Sequence, residues 1–119
     1  MWVKERDECR KFESGDGCAL VEFIHPAKDG LKVNYSLAQA CLRPFAASKP
    51  HVLKASETYY IISGRGFMHI DGEEREVFEG CVVHIEPNSL QYIKNTESVE
   101  LRFLCIVEPA WRPENEKIL

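Results

Sequence analysis

The sequence predicts an all-β fold in one domain, built from short antiparallel strands. Three observations carry that expectation. From residue 57 onward, turn-forming residues recur every eight positions, at Gly64, Gly72, Gly80, Asn88 and Thr96. Between them lie short runs rich in β-branched and aromatic residues, such as Tyr59-Tyr60-Ile61-Ile62 and Cys81-Val82-Val83-His84-Ile85. Strands of that length at that spacing belong to sandwiches and barrels. The 119 residues suffice for one core and not for two.

Taken in order, Cys18 to His25 reads as a strand and Pro26 to Gly30 as a loop. A strand follows over Val33 to Leu42. It carries Val33, Tyr35, Leu37, Gln39 and Cys41 on one face and mostly small residues on the other, because strand side chains alternate. Pro44 to Pro50 is a longer loop. After the strand at 59–62, Ser63 to Gly66 makes a turn into Phe67-Met68-His69-Ile70. Asp71-Gly72 signals a two-residue hairpin, since both positions tolerate positive φ. His69 and His84 fall on outer faces by parity, and His25 at a strand end gives no functional signal. Gln91, Ile93 and Asn95 share one face of a later strand. In the last strand Val99, Leu101, Phe103, Cys105 and Val107 share a face, opposite Glu100 and Arg102. Leu104 and Ile106 then make its second half apolar on both sides, which predicts burial on both. The only helix expected is the tail after Pro113, with Trp111 packing that tail onto the barrel.

Composition excludes several classes of function. Hydrophobic content of 45% and charged content of 29% fit a globular chain rather than a disordered one. No run approaches the ~20 apolar residues of a membrane-spanning helix. The net charge is −4, and no basic stripe exists to follow a phosphate backbone, so neither membrane nor nucleic acid is an expected partner. Met1 to Phe12 is dense in charge and lacks the apolar centre of a secretory signal. Five cysteines, at 9, 18, 41, 81 and 105, form no C-x-x-C pair. They read as reduced thiols of a cytoplasmic protein, with Cys41 and Cys105 as small core residues.

One constellation can carry chemistry. His51 and Glu57 share strand parity, so both can face the interior, with Tyr59 and Ile61 on the wall beneath. An imidazole and a carboxylate in a partly dry pocket can hold a divalent cation. They can equally serve as an acid–base pair.

Residues 44–66 and 80–95 resemble the two motifs of the cupins. In the first, G-x5-H-x-H-x3-E-x6-G, the chain supplies His51, Glu57 and Gly64, with Phe45 at the opening glycine and Leu53 at the second histidine. In the second, G-x5-P-x-G-x2-H-x3-N, it supplies Gly80 and Asn95, with Glu86 at the proline, Asn88 at the glycine and Gln91 at the histidine. The resemblance implies a cupin-type double-stranded β-helix, an antiparallel jelly-roll barrel with an interior pocket, spanning 1–119. It implies a homodimer in which segment 1–32 adds strands to a partner, leaving 109–119 as a C-terminal tail. It also implies a divalent metal (Zn, Mn, Fe or Ni) at His51, Glu57 and Gln91, in a pocket walled by Leu53, Tyr59, Ile61 and Ile93. Three functions fit such a pocket: a metal-dependent enzyme, a non-catalytic module for a small polar metabolite, and a metal-free isomerase passing a proton between His51 and Glu57.

Overall fold

Alternation of apolar and polar side chains gives each strand an inner and an outer face, and those inner faces close on one another. The structure, a computed structural model, describes Met1 to Leu119. Its strands are β1 (Arg10–Glu13), β2 (Ala19–Ile24), β3 (Ser36–Leu42), β4 (His51–Leu53), β5 (Ser56–Ser63), β6 (Arg65–Ile70), β7 (Glu73–Phe78), β8 (Val82–Ile85), β9 (Leu90–Asn95), β10 (Leu101–Glu108) and β11 (Glu116–Ile118). They form a six-stranded sheet in the order β1-β2-β3-β10-β5-β8 and a five-stranded sheet in the order β11-β4-β9-β6-β7. Every pairing is antiparallel, so the fold is the expected jelly roll.

The core lies between the sheets, around the fully buried Phe103, Leu101, Ile61, Ile93 and Ile85. On β3 the inward face is the one with small residues, Ser36, Ala38 and Ala40. Short side chains there leave space beneath the sheet, and that space becomes the site described below. The outward face of β3 carries Cys41, which is only half-buried and donates its Sγ proton to Glu100 Oε2 at 2.9 Å. The expectation of a core thiol at 41 is therefore corrected, while Cys105 is buried as expected. β10 also departs from its reading. Ile106 is 40% exposed, because no third layer covers the outer face of the six-stranded sheet.

Two local assignments change. Pro26–Asp29 forms a single helical turn, α1, with Pro at its first position, the His25 ring accepting from the Ala27 amide, and Gly30 ending it at φ 64°. That is the usual use of proline at a start and glycine at a stop. The tail is not a helix. Pro113–Asn115 makes one 3₁₀ turn, and Glu116–Ile118 pairs as β11 with β4. An unpaired edge of β4 satisfies more backbone groups than an isolated short helix does.

The turns explain why the glycine pattern is incomplete. Asp71 (φ 48°) and Gly72 (φ 84°) make the tight hairpin between β6 and β7. Phe45 and Asn88, which stand where the two motifs have glycine, still adopt positive φ, at 59° and 68°. Asn tolerates this conformation; for Phe it costs about 1–2 kcal/mol. Phe45 is mostly exposed, so removing its ring loses little packing. Phe45→Gly is expected to raise stability by about 1 kcal/mol, seen as a higher midpoint in urea denaturation. Asn95 has a different task. Its Nδ2 donates to the carbonyls of Leu42 (3.2 Å), Arg43 (3.0 Å) and Val99 (2.8 Å), and its Oδ1 accepts from the Glu97 amide (3.0 Å). Fully buried, it ties two segments, 42–43 and 97–99, to the end of β9.

Candidate functional site in the barrel

A cavity of about 290 Å³ opens beneath the small face of β3, between the two sheets. His51, Glu57, Tyr59, Asp16, Glu116 and Trp111 all line it. His51 comes from β4, Glu57 and Tyr59 from alternate positions of β5, and Asp16 from the β1–β2 turn. Glu116 and Trp111 come from the tail. The turn is docked by a hydrogen bond from the Lys49 amide to the Asp16 carbonyl at 2.7 Å. It is shaped inside by Asp16 Oδ1, which accepts from the Ser14 hydroxyl and from the Cys18 amide.

His51 is 2% exposed. Its Nδ1 lies 2.8 Å from the Lys49 carbonyl, and a carbonyl only accepts, so Nδ1 carries the proton of the neutral ring. In the neutral ring Nε2 then has a lone pair facing the cavity. Its nearest ionic neighbour is Asp16 Oδ2 at 3.7 Å, outside hydrogen-bond range.

Glu57 sits on the opposite side of that chemistry. Burial pushes its carboxyl up to about 8, helped by the nearby charge of Asp16. The Gln91 amide and the Tyr59 hydroxyl pull the other way without offsetting it. The Tyr59 hydroxyl lies 3.4 Å from Glu57 Oε1 and 3.1 Å from Gln91 Oε1. The Tyr59 hydroxyl has one proton to share between these two acceptors, and the shorter contact is to Gln91. Tyr59 also packs on Phe103, with ring centroids 4.6 Å apart.

The sequence-based residues divide clearly. His51, Glu57 and Tyr59 line the cavity. Gln91 pairs across from His51 on β9 and is 1% exposed, but it is not on the lining, and its Oε1 accepts from the Tyr59 hydroxyl. Leu53, Ile61 and Ile93 point inward as parity required, yet they are core residues and not pocket walls. Leu53 packs with Ala55, Val107 and Trp111, while Ile61 and Ile93 join the main cluster with Phe103 and Leu101. Large side chains fill the interior around these three residues, while the cavity that holds His51 and Glu57 lies under β3. Asp16 and Glu116 escaped the strand-parity reading because neither belongs to a motif strand. The only signal for Asp16 was the turn composition of Ser14-Gly15-Asp16-Gly17.

The donor set does not fit a resident divalent ion. No three His, Cys, Asp or Glu side chains converge closely enough to hold one. Leu53 offers no donor atom, and the Gln91 oxygen is occupied by the Tyr59 hydroxyl. A transition-metal site wants three or more strong donors at one point.

A double-stranded barrel with an interior His–Glu pocket defines a small cupin. Residues 39–107 match the cupin domain family model, and the chain belongs to that family. It is 34% identical over 117 residues to an uncharacterized protein of Methanocaldococcus jannaschii, spanning 97% of this chain and 92% of that one. Its fold is similar to that of Pac13 of Streptomyces, solved with uridine, at a TM-score of 0.81 and 15% identity, covering 100% of this chain and 91% of that one. Another structure of Pac13 describes it as a nucleoside dehydratase. Oxalate decarboxylase of Bacillus subtilis superposes with a TM-score of 0.82 at 18% identity, over 96% of this chain and 31% of that one. No helix of the chain is long and apolar enough to cross a membrane.

Proposed function

We propose that this cupin binds a small organic molecule in the cavity under β3 and moves a proton on it without a resident metal. The observation that carries this reading is the pairing of two unlike groups on one enclosed space. His51 presents a free Nε2 lone pair beside Asp16, and Glu57 holds its proton up to about 8. His51 accepts a proton from the bound molecule, and Asp16 stabilises the imidazolium that results. Glu57 donates a proton at a second atom, and the Tyr59–Gln91 chain keeps its carboxyl oriented. The hydrogen bond that fixes the His51 ring and the raised carboxyl of Glu57 assign the base and the acid. The likeness to a nucleoside dehydratase is compatible with such chemistry, and at 15% identity it does not carry the substrate. The divalent ion implied by the family motifs is left out of this reading because its donors do not converge.

The test uses chelator-stripped protein and a panel of small metabolites, uridine included, in deuterated water. At least one compound is expected to bind and to exchange or eliminate a proton. His51→Gln should lower that rate by roughly 100-fold or more, the usual contribution of a positioned acid or base. Turnover that appears only after a divalent ion is added contradicts the reading.

A homodimer in a reducing, cytoplasmic setting completes the proposal. The outer face of the six-stranded sheet aligns Tyr60 with Leu104 and with Val82, beside the exposed Ile106. The outer edge of β1 is also free of a neighbour. Contiguous exposed apolar surface of this kind marks association. All five cysteines are free thiols. Light scattering at micromolar concentration should give the mass of two chains; the mass of one would remove the dimer.

A further inference from the structure

We infer that the cavity selects an organic cation, a small molecule with a protonated amine on an aromatic or apolar body, and rejects carboxylates and phosphates. This rests on the reading above that the cavity is the ligand site, and adds the class of ligand. The inner end offers acceptors and no fixed positive charge. Asp16 and Glu116 supply two carboxylates from different ends of the chain, and Glu57 becomes a third when it ionises. The His51 ring is 98% buried by its 2% exposure. Its Nε2 has no hydrogen-bond partner and faces the same space. An acceptor that reaches the cavity without a donor is a place for a ligand's N–H.

Of the two cations of the lining, only Lys28 has an anionic partner. Lys28 Nζ is held on Glu22 Oε1 at 2.8 Å. The Arg10 guanidinium lies 4.2 Å over the Phe12 ring. Both residues are exposed, at the rim. Past the rim an anion would meet the Asp16 and Glu116 carboxylates with no cation beside them. The walls favour a flat apolar body: Phe12, Tyr59, Phe103 and Trp111 all face the cavity, and aromatic faces attract ammonium groups. About 290 Å³ accommodates one ring with a short amine arm and little more.

Calorimetry with three probes of one shape tests this: phenethylamine, phenethyl alcohol and 3-phenylpropionate, at pH 7 and low salt. Phenethylamine should bind at least tenfold more tightly than the alcohol, and the carboxylate should not bind. Asp16→Asn and Glu116→Gln, which keep the Oδ1 contacts of the turn and the Trp111 contact, should each weaken the amine about tenfold. Circular dichroism confirms that each variant is folded. Equal or tighter binding of the alcohol or the carboxylate overturns the cationic preference and leaves the cavity as a ligand site. Amine affinity unchanged in both folded variants also overturns it. No binding by any of the three overturns this inference, and if the metabolite panel is silent too, the functional reading falls with it.

Discussion

At pH 8, Glu57→Gln is expected to stabilise the fold by several kcal/mol, on the order of 4. In the unfolded chain Glu57 titrates near its ordinary 4.5; in the folded protein burial, then the charge of Asp16, holds it at about 8. Between those two values the folded state binds the extra proton. Its stabilising effect is complete below pH 4.5 and is lost as pH rises to 8. Stability of the natural protein should therefore fall by roughly 2–3 kcal/mol from pH 5.5 to pH 7.5 on account of this group. Glutamine has nearly the same shape, cannot ionise, and keeps an Oε1 that can accept from the Tyr59 hydroxyl. Urea denaturation of both proteins at the two pH values isolates the effect, because every other titrating group is common to both. Glu116, whose carboxyl is also raised by burial, leaves a smaller slope of the same sign in the variant. Parallel pH profiles would mean that Glu57 is ionised in the folded state.

The second large effect concerns Gly66. This buried residue of β6 pairs with Val77 on β7 and with Asn95 on β9. A methyl group at its Cα would overlap the Lys94 carbonyl oxygen and stand 3.1 Å from Leu101 Cδ2. The first obstacle is main chain and cannot rotate away. Strand β6 must then withdraw from β9, which loosens the Asn95 bracket as well. Gly66→Ala should lower stability by about 3 kcal/mol or more. Gly72→Ala is the control: φ there is +84°, but nothing lies within 4 Å of the added group, so only backbone strain of about 1–2 kcal/mol acts. A Gly66→Ala midpoint within error of the Gly72→Ala midpoint would refute the close-approach argument.

Much of the fold was legible because strand parity is a local rule. The alternation of Leu101, Phe103, Cys105 and Val107 assigned the inner face of β10 correctly, and Asp71-Gly72 located its hairpin. The exposure of Ile106 was not legible, since an apolar outer face says nothing of whether another layer covers it. The tail failed for a related reason. Glu116–Ile118 is a strand only because β4 offers an edge 63 or more residues away in the chain, a tertiary fact that overrides short-range propensity. For the site, parity brought His51, Glu57 and Tyr59 to one interior. It could not tell a filled interior from an open one, which is why Leu53, Ile61 and Ile93 joined the core. Asp16 and Glu116 reach the cavity from a turn and from the tail. No periodic pattern marks such residues, although they set much of its charge.

The most direct measurement is a ¹³C NMR titration of the glutamate carboxyls in chelator-stripped protein. One resonance, absent in Glu57→Gln, should titrate with a midpoint near 8 and stay unmoved when an equimolar divalent ion is added. A set of carboxyls that all titrate below about pH 5.5, or a Glu57 signal that shifts with the added ion, would contradict a neutral acid that shares a metal-free cavity with His51.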